Sequence, residues 1–299
     1  MDRIDGLRTF VSVVEAGSFT AASDRLGISK KLASKYLGEL EAQVGVRLLN
    51  RTTRSLSLTS AGQRFLPRAV ALIESYDEML ADLRETDRGL AGTLRVAAPV
   101  TFGELYLHEA LSAFRDAHPD LVIDLRLSDR FVDLVAEGFD LALRIGALED
   151  SSLMARRLGE TELLVVGTPD YLAAQGRPEH PGDLARHCCI RDSNLRAGQS
   201  WPFEISGAMR RHAVTGGFLV NSATAVRLSV LRGDGLGLCP SFAVAQDIAE
   251  GRLEQVLADF PSGTLGIHAV FNEARHLPAR TRAALEFLAE HFRTPPWQG

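Results

Sequence analysis

The stretch SKKLASKYLGEL, Ser29 to Leu40, holds every lysine in this 299-residue chain. Lys30, Lys31 and Lys35 lie within six residues, and every other Lys-or-Arg position is arginine. The stretch reads as a helix. Leu32, Tyr36, Leu37 and Leu40 recur as an apolar stripe, while Lys30 with Ser34 and Lys31 with Lys35 stand four apart on the other side. Ser29 is placed to cap its start with a hydroxyl, and the pattern continues as KKLASKYLGELEAQV to Gly45.

Upstream, Ile4, Leu7, Phe10, Val11, Val13 and Val14 predict a first amphipathic helix, which Gly17 stops. Ser18 then caps a second short helix, FTAASDRL, which ends at Gly27. Ala21 and Ala22 are small enough to let two helices cross closely. Short helices, a tight turn with glycine and a capped second helix describe a helix-turn-helix. In that motif, residues near the start of the last helix enter the DNA major groove. Lysine there reaches either phosphate or guanine O6/N7. Downstream, Val46–Leu49 and Leu56–Leu58 read as two small strands joined by NRTTRS. This is a wing whose tip, with Arg51, Thr53 and Arg54, suits phosphate or minor-groove contact.

The formal charge of −5 hides a split. Residues 1–60 carry nine Lys and Arg against six Asp and Glu; the remainder carries 24 against 32. A basic front on an acidic body suggests an anionic partner for the front alone. Hydrophobic content of 45% with 24% charged residues is ordinary for a soluble globular protein, and the length suits two or three domains. No apolar run reaches the roughly 18–20 residues of a membrane span. The start, MDRIDGLRTFVSVVEAGSF, is interrupted helically by Asp5, Arg8 and Glu15, so it does not read as an export signal. Three cysteines, with Cys188 and Cys189 adjacent, make no disulfide framework. A cytoplasmic protein without a membrane partner is expected.

From Ser60 to Gly89 a long helical pattern follows, with Phe65, Leu66, Val70, Ile73, Tyr76 and Leu80 on its apolar face and Pro67 in its first turns. Some 25 residues make a rod about 40 Å long. It is too apolar to stand alone, and either packs on its own domain or pairs two chains. Gly89 and Gly92 mark the boundary to the body. There strands and helices alternate, which predicts α/β layers around mostly parallel sheets. Two lobes are expected: 92–161 with 265–299, and 162–264, with crossovers near Glu162–Gly167 and Leu265–Val270.

Ligands in open α/β sheets bind outside the carboxyl ends of strands. That rule selects Val100, Thr101, Phe102, Ser128, Arg144, Asn221 and Ser222 as cleft residues. Thr101, Ser128, Asn221 and Ser222 equally suit helix capping, and Arg144 a surface ion pair. Trp201 either lines the pocket or belongs to the core of the second lobe. Nothing calls for a cofactor or a metal. The glycines Gly233, Gly235 and Gly237 precede a strand rather than follow one, so they read as a helix end and tight turn. His187, Cys188 and Cys189 lack a second ligand pair. Cys239 has no activating base beside it, and no nucleophile elbow or kinase signature is present.

The segments FVSVVEAGSFTAASDRLGIS and LGELEAQVGVRLLNRTTRSLSLTSAG together resemble the front of LysR-type transcriptional regulators. LSDRFVDLVAEGFDLALRIG and VNSATAVRLSVLRGDGLGLCPS extend the likeness, less specifically, through the body. The resemblance implies an α/β protein in three parts: a winged helix-turn-helix domain (1–60), a linker or dimerisation helix (61–89) and an effector-binding domain (90–299). The last would resemble the two-lobed periplasmic solute-binding proteins of type 2. It implies a homodimer or homotetramer on double-stranded DNA with dyad symmetry, modulated by a small molecule in the cleft. Ser29 falls where the recognition helix is capped, Ser34 and Lys35 on its DNA-facing side, and Arg51 and Arg54 on the wing; Ser18 and Thr20 complete the DNA-facing set. Lys30 and Lys31 depart from the family, which commonly has Gln and then Pro or Ser there. Lysine at a helix start is disfavoured by the dipole, a penalty that bound phosphate or guanine would offset. Two rivals remain: a solute-binding protein and an enzyme with an accessory DNA module. The basic front and the unmatched export pattern oppose the first, and the missing catalytic constellation opposes the second.

Overall fold

The computed structural model describes residues 3–51, 56–82, 90–148, 153–195, 199–272 and 277–298. Along the chain run α1 (Arg3–Ala16), α2 (Phe19–Leu26), α3 (Lys30–Val44), β1 (Leu49–Arg51), β2 (Leu56–Leu58) and α4 (Ser60–Asp82). Then come β3 (Gly92–Ala98), α5 (Val100–Phe102), a π-helical turn (Gly103–Leu107), α6 (His108–Ala117), β4 (Leu121–Leu127), α7 (Leu134–Glu137), β5 (Leu141–Ile145) and β6 (Leu153–Gly167). Next are α8 (Pro169–Gln175), β7 (Cys189–Asp192), β8 (Ser200–Ile205), β9 (Ala208–Ala213), β10 (Leu219–Val220), α9 (Ala223–Leu231) and β11 (Leu236–Pro240). The chain closes with α10 (Ser241–Ala249), β12 (Glu254–Val256), β13 (Thr264–Asn272) and α11 (Ala279–His291). These elements form two compact units, Met1–Gly92 with Val132–Asp140, and Thr93–Phe131 with Leu141–Gly299.

In the first unit, local sequence decides where each helix starts and stops. The Ser18 and Ser29 hydroxyls accept the Ala21 and Leu32 N–H groups at 3.1 and 3.2 Å, satisfying donors that the first helical turn leaves open. Gly27 and Gly45 end α2 and α3 in the left-handed region, at φ 66° and 74°. The stripes predicted from spacing meet in one core of Leu7, Phe10, Val13, Ala22, Leu37, Leu40, Leu48 and Leu49. Of the two small residues, Ala22 is buried in the crossing and Ala21 is exposed. The hairpin pairs Leu49 with Leu58 and Arg51 with Leu56. Its first strand therefore begins later than the pattern predicts, with Val46 half-exposed. The Glu41 carboxylate accepts the Leu48 and Leu49 N–H groups, tying α3 to the wing. Gly62 lies so close to the hairpin that a Cβ there would stand 2.1 Å from the Leu48 carbonyl oxygen.

The segment 132–140, assigned to the body from sequence, groups with this first unit. Its helix spans only four residues, capped by Asp133 and ended by Gly138 at φ 73°. A side chain at Gly138 would press on Pro67 of α4, with a Cβ only 2.7 Å from that of Pro67.

The second unit is built on one sheet with the order β10-β7-β11-β6-β13-β5-β3-β4, and β12 pairs with β6. β3 pairs parallel with β5, and β7 with β10 and β11. The two central strands, β6 and β13, run antiparallel to each other and to their neighbours. One must leave the first lobe and the other must return, which a wholly parallel sheet does not allow. The crossing lies at Thr161–Leu163 and Gly263–Leu265, where Glu162 opposes Thr264 and the Leu163 N–H donates to Gly263 O. That is earlier in β13 than the sequence pattern predicts.

Behind the crossing, aromatic residues from both lobes cluster. The Phe102 ring lies 5.4 Å from Phe242 and Trp297 and 5.6 Å from Phe292, centroid to centroid. The Tyr106 hydroxyl donates to Phe242 O at 3.0 Å, and Trp297 Nε1 donates to Glu160 O at 3.1 Å. The second lobe has its own core of Leu172, Leu184, Cys189, Trp201, Phe203, Leu236 and Leu238. Its β8–β9 hairpin, absent from the sequence reading, turns at Ser206 and Gly207, both with positive φ (53° and 77°). That is the backbone a two-residue hairpin loop demands.

Candidate nucleic-acid interface and ligand cleft

The lysines fall on the solvent side of α3. Lys30, Lys31, Ser34 and Lys35 are all exposed, whereas Ala33, Leu37 and Leu40 are buried. Helical geometry puts Lys31, Ser34 and Lys35 on one face. The Lys35 ammonium lies 3.8 Å from the Glu39 carboxylate, an exposed pair worth little on its own. Ser18 and Thr20, at the start of α2, are also exposed. The hydroxyls of Ser18 and Ser29 are engaged in capping, so these two residues fix the starts of α2 and α3. Arg51 closes β1, but its side chain, together with Thr53 and Arg54, lies outside the described residues.

In the second unit, several of the strand-end residues selected from sequence are joined by hydrogen bonds. Thr101 opens α5 after β3, and its hydroxyl lies 2.9 Å from that of Thr224 in α9. The Thr224 N–H also donates to Thr101 Oγ1, at 3.2 Å. The Asp129 carboxylate, after β4, accepts the Val100 N–H at 3.0 Å and so caps the same helix start. Ser128 accepts the Arg130 N–H, and Ser222 caps α9 through the Ala225 N–H. The Asn221 carbonyl accepts from Asn194 Nδ2 at 2.6 Å. The Arg144 guanidinium stacks 3.6 Å above the Phe131 ring.

Two residues named from sequence for the cleft are core side chains instead. Phe102 is fully buried in the aromatic cluster and Trp201 is 1% exposed among second-lobe apolar residues, because each points to the inner face of its element. Sequence pointed to Ser128 and Asp129 together after β4, but to neither Thr224 nor Asp192, which the fold brings beside the selected residues. Asp192 ends β7 and is 7% exposed. Burial pushes its carboxyl above the ordinary range, the Asn194 N–H draws it partly back, and nearby Asp129 pushes it up further. Asp129 and Asp192 therefore lie close enough to feel each other's charge. Thr224 lies two places after Ser222, so adjacency was the available signal. Burial also pushes the Cys189 thiol up to about 12 and raises Cys239, which keeps both protonated and inert. Among the described residues, no helix is long and apolar enough to cross a membrane.

Comparison with known proteins gives matches along almost the whole chain. The bacterial regulatory helix-turn-helix family of lysR type matches residues 4–63, and the LysR substrate binding domain matches residues 87–293. The HTH-type transcriptional regulator PtxR of Pseudomonas aeruginosa is 37% identical over 295 residues, covering 99% of this chain and 95% of that protein. Two solved structures are similar. The virulence activator AphB of Vibrio cholerae aligns at TM-score 0.62 with 30% identity, covering 96% of this chain and 98% of its own. CrgA of Neisseria meningitidis aligns at TM-score 0.63 with 31% identity and the same coverage of both chains.

Proposed function

The chain belongs to the LysR family of bacterial transcriptional regulators, and from that premise we propose how its parts divide the work. It is a DNA-binding transcriptional regulator with an effector-binding body. In our reading α3 lies in the major groove with Lys30, Lys31, Ser34 and Lys35 toward the DNA, Ser29 holds its start, and Ser18 and Thr20 flank it. The wing, with Arg51, Thr53 and Arg54, contacts the backbone beside it. The observation that carries this reading is the exposure of all three lysines of the chain on one capped helix.

The inter-lobe cleft takes a small-molecule effector among Val100, Thr101, Ser128, Asp129, Arg144, Asn221, Ser222 and Thr224. Ligand there shifts an existing equilibrium of lobe arrangements, and with it the geometry of paired DNA-binding domains. The working unit is a homodimer or homotetramer in the cytoplasm, joined through α4, whose Leu72 is 54% exposed. Two recognition helices related by a dyad would match half-sites one DNA turn apart.

A salt-dependent gel shift on the protein's own upstream DNA tests the reading. Binding that weakens steeply as salt rises is expected, and no shift at low salt would sink it. Thermal-shift screening of small molecules tests the cleft, since a ligand that binds the folded state raises the melting temperature.

A further inference from the structure

Gly38 is the one glycine of the recognition helix interior, and nothing inside the protein calls for it. The neighbouring glycines have visible reasons: Gly27 and Gly45 adopt left-handed backbone at helix ends, and Gly62 abuts the Leu48 carbonyl. Gly38 has neither property. It sits mid-helix in α3 and is exposed, and a Cβ built there would meet no atom within 4 Å. Glycine at such a position weakens a helix relative to alanine.

Its place on the helix supplies a reason. Gly38 follows Lys31 by seven residues, Ser34 by four and Lys35 by three, so all four share one face. Gly38 lies near the middle of that face, with the two lysines a turn or two toward the helix start. Glu39 is displaced by one residue, about 100° round the helix, and holds Lys35 only through an exposed pair that a phosphate can replace.

We propose that Gly38 is a close-approach position on the DNA-binding face: its missing side chain lets α3 seat against the sugar-phosphate wall of the groove while Lys31 and Lys35 reach past it. This rests on the reading of α3 as the DNA-contacting helix. The charge of the face is complementary to a polyanion, and the open ground in its centre is where backbone meets backbone. A Cβ is harmless to the free protein and obstructive only in the complex, so stability and binding are separable at this residue.

The experiment uses the full chain with Gly38→Ala and Gly38→Gln, melting curves, and fluorescence anisotropy on the upstream DNA at several salt concentrations. Gly38→Ala is expected to melt slightly higher than wild type yet bind DNA more weakly, on the order of tenfold, which is what the loss of one good contact gives. Gly38→Gln is expected to bind more weakly still, with the salt slope unchanged because every lysine is kept. Binding of both variants within twofold of wild type would overturn the proposal, as would a Gly38→Ala that melts lower, since the fold itself would then need the glycine. Failure of the wild type to bind at low salt would instead remove the reading of α3 on which the proposal stands.

Discussion

The hydroxyls of Thr101 and Thr224 lie 2.9 Å apart although the residues are 123 positions apart in sequence. One opens a helix of the first lobe and the other a helix of the second. With Tyr106 bonded to Phe242 O, and Thr161 to Ser241 at 2.9 Å, this makes three hydroxyl contacts joining the lobes. An effector held among the residues proposed for it would either displace the Thr101–Thr224 contact or build on it.

Thr224→Val keeps the shape and removes one hydroxyl. The loss of a part-buried hydrogen bond is expected to lower stability by about 1 kcal/mol. Urea unfolding would register that as a shift in midpoint without a change in slope. A midpoint at or above the wild-type value would mean that the pair does not hold the lobes together.

Asp247 gives a pH dependence with a defined sign. It is fully buried and bridges Arg227 of α9 and Arg252 after α10, with Arg227 Nη2 at 2.8 Å and Arg252 Nη2 at 2.7 Å. Burial pushes its carboxyl up, but the hydrogen bonds and charges of the two arginines outweigh that and leave it below the ordinary range. A carboxyl whose folded pKa is depressed stabilises above its unfolded value, about 3.9, and the contribution fades as pH falls through the folded value. Asp247→Asn is expected to cost about 2–3 kcal/mol at pH 7, less than a fully buried pair because both arginines are partly exposed. Denaturation curves between pH 7 and pH 2 should show the gap between variant and wild type narrowing once pH falls below about 4. A constant gap across that range would show that the carboxylate charge is not the cause.

Gly62→Ala tests the junction of wing and α4. The added Cβ would stand 2.1 Å from the Leu48 carbonyl oxygen, which is backbone and has little room to move. Overpacking of this kind costs about 1–3 kcal/mol. The melting transition of the DNA-binding part should fall, and weaker DNA binding should recover on cooling.

Lys30→Gln combined with Lys31→Pro restores the residues commonly found in the family, and proline is tolerated in a first helical turn. Binding measured on a panel of single-base variants of the operator is expected to show altered preference at one or two positions. Uniform weakening with a salt slope reduced by about 0.9 per lost contact would make the two lysines phosphate clamps.

How much could be read without coordinates depended on the range of the interactions. The front was legible because its signals are local: a serine three residues ahead of the N–H it caps, a left-handed glycine at each helix end, and apolar residues at helical spacing. The order of strands was not, since nothing in periodicity tells that β6 pairs with β13, β11 and β12 in turn. α10 escaped notice because Phe242, Ala243, Val244 and Asp247 are all buried, so no polar face sets its period. The β8–β9 hairpin carries a Ser206-Gly207 turn signal, but Pro202 interrupts its first strand. Rules about strand ends selected Thr101 and Ser222, which the fold places at helix starts, but not Asp192, which ends a strand whose neighbours periodicity does not reveal.

Concentrating every side-chain amine on α3 also gives the protein a single chemical address. Acetyl transfer to lysine erases positive charge, whereas arginine is untouched by the same chemistry. On most proteins such modification scatters over the surface. Here it can fall only on Lys30, Lys31 and Lys35, and a bound duplex would shield all three at once. Arginine everywhere else confines any lysine-directed signal to one helix.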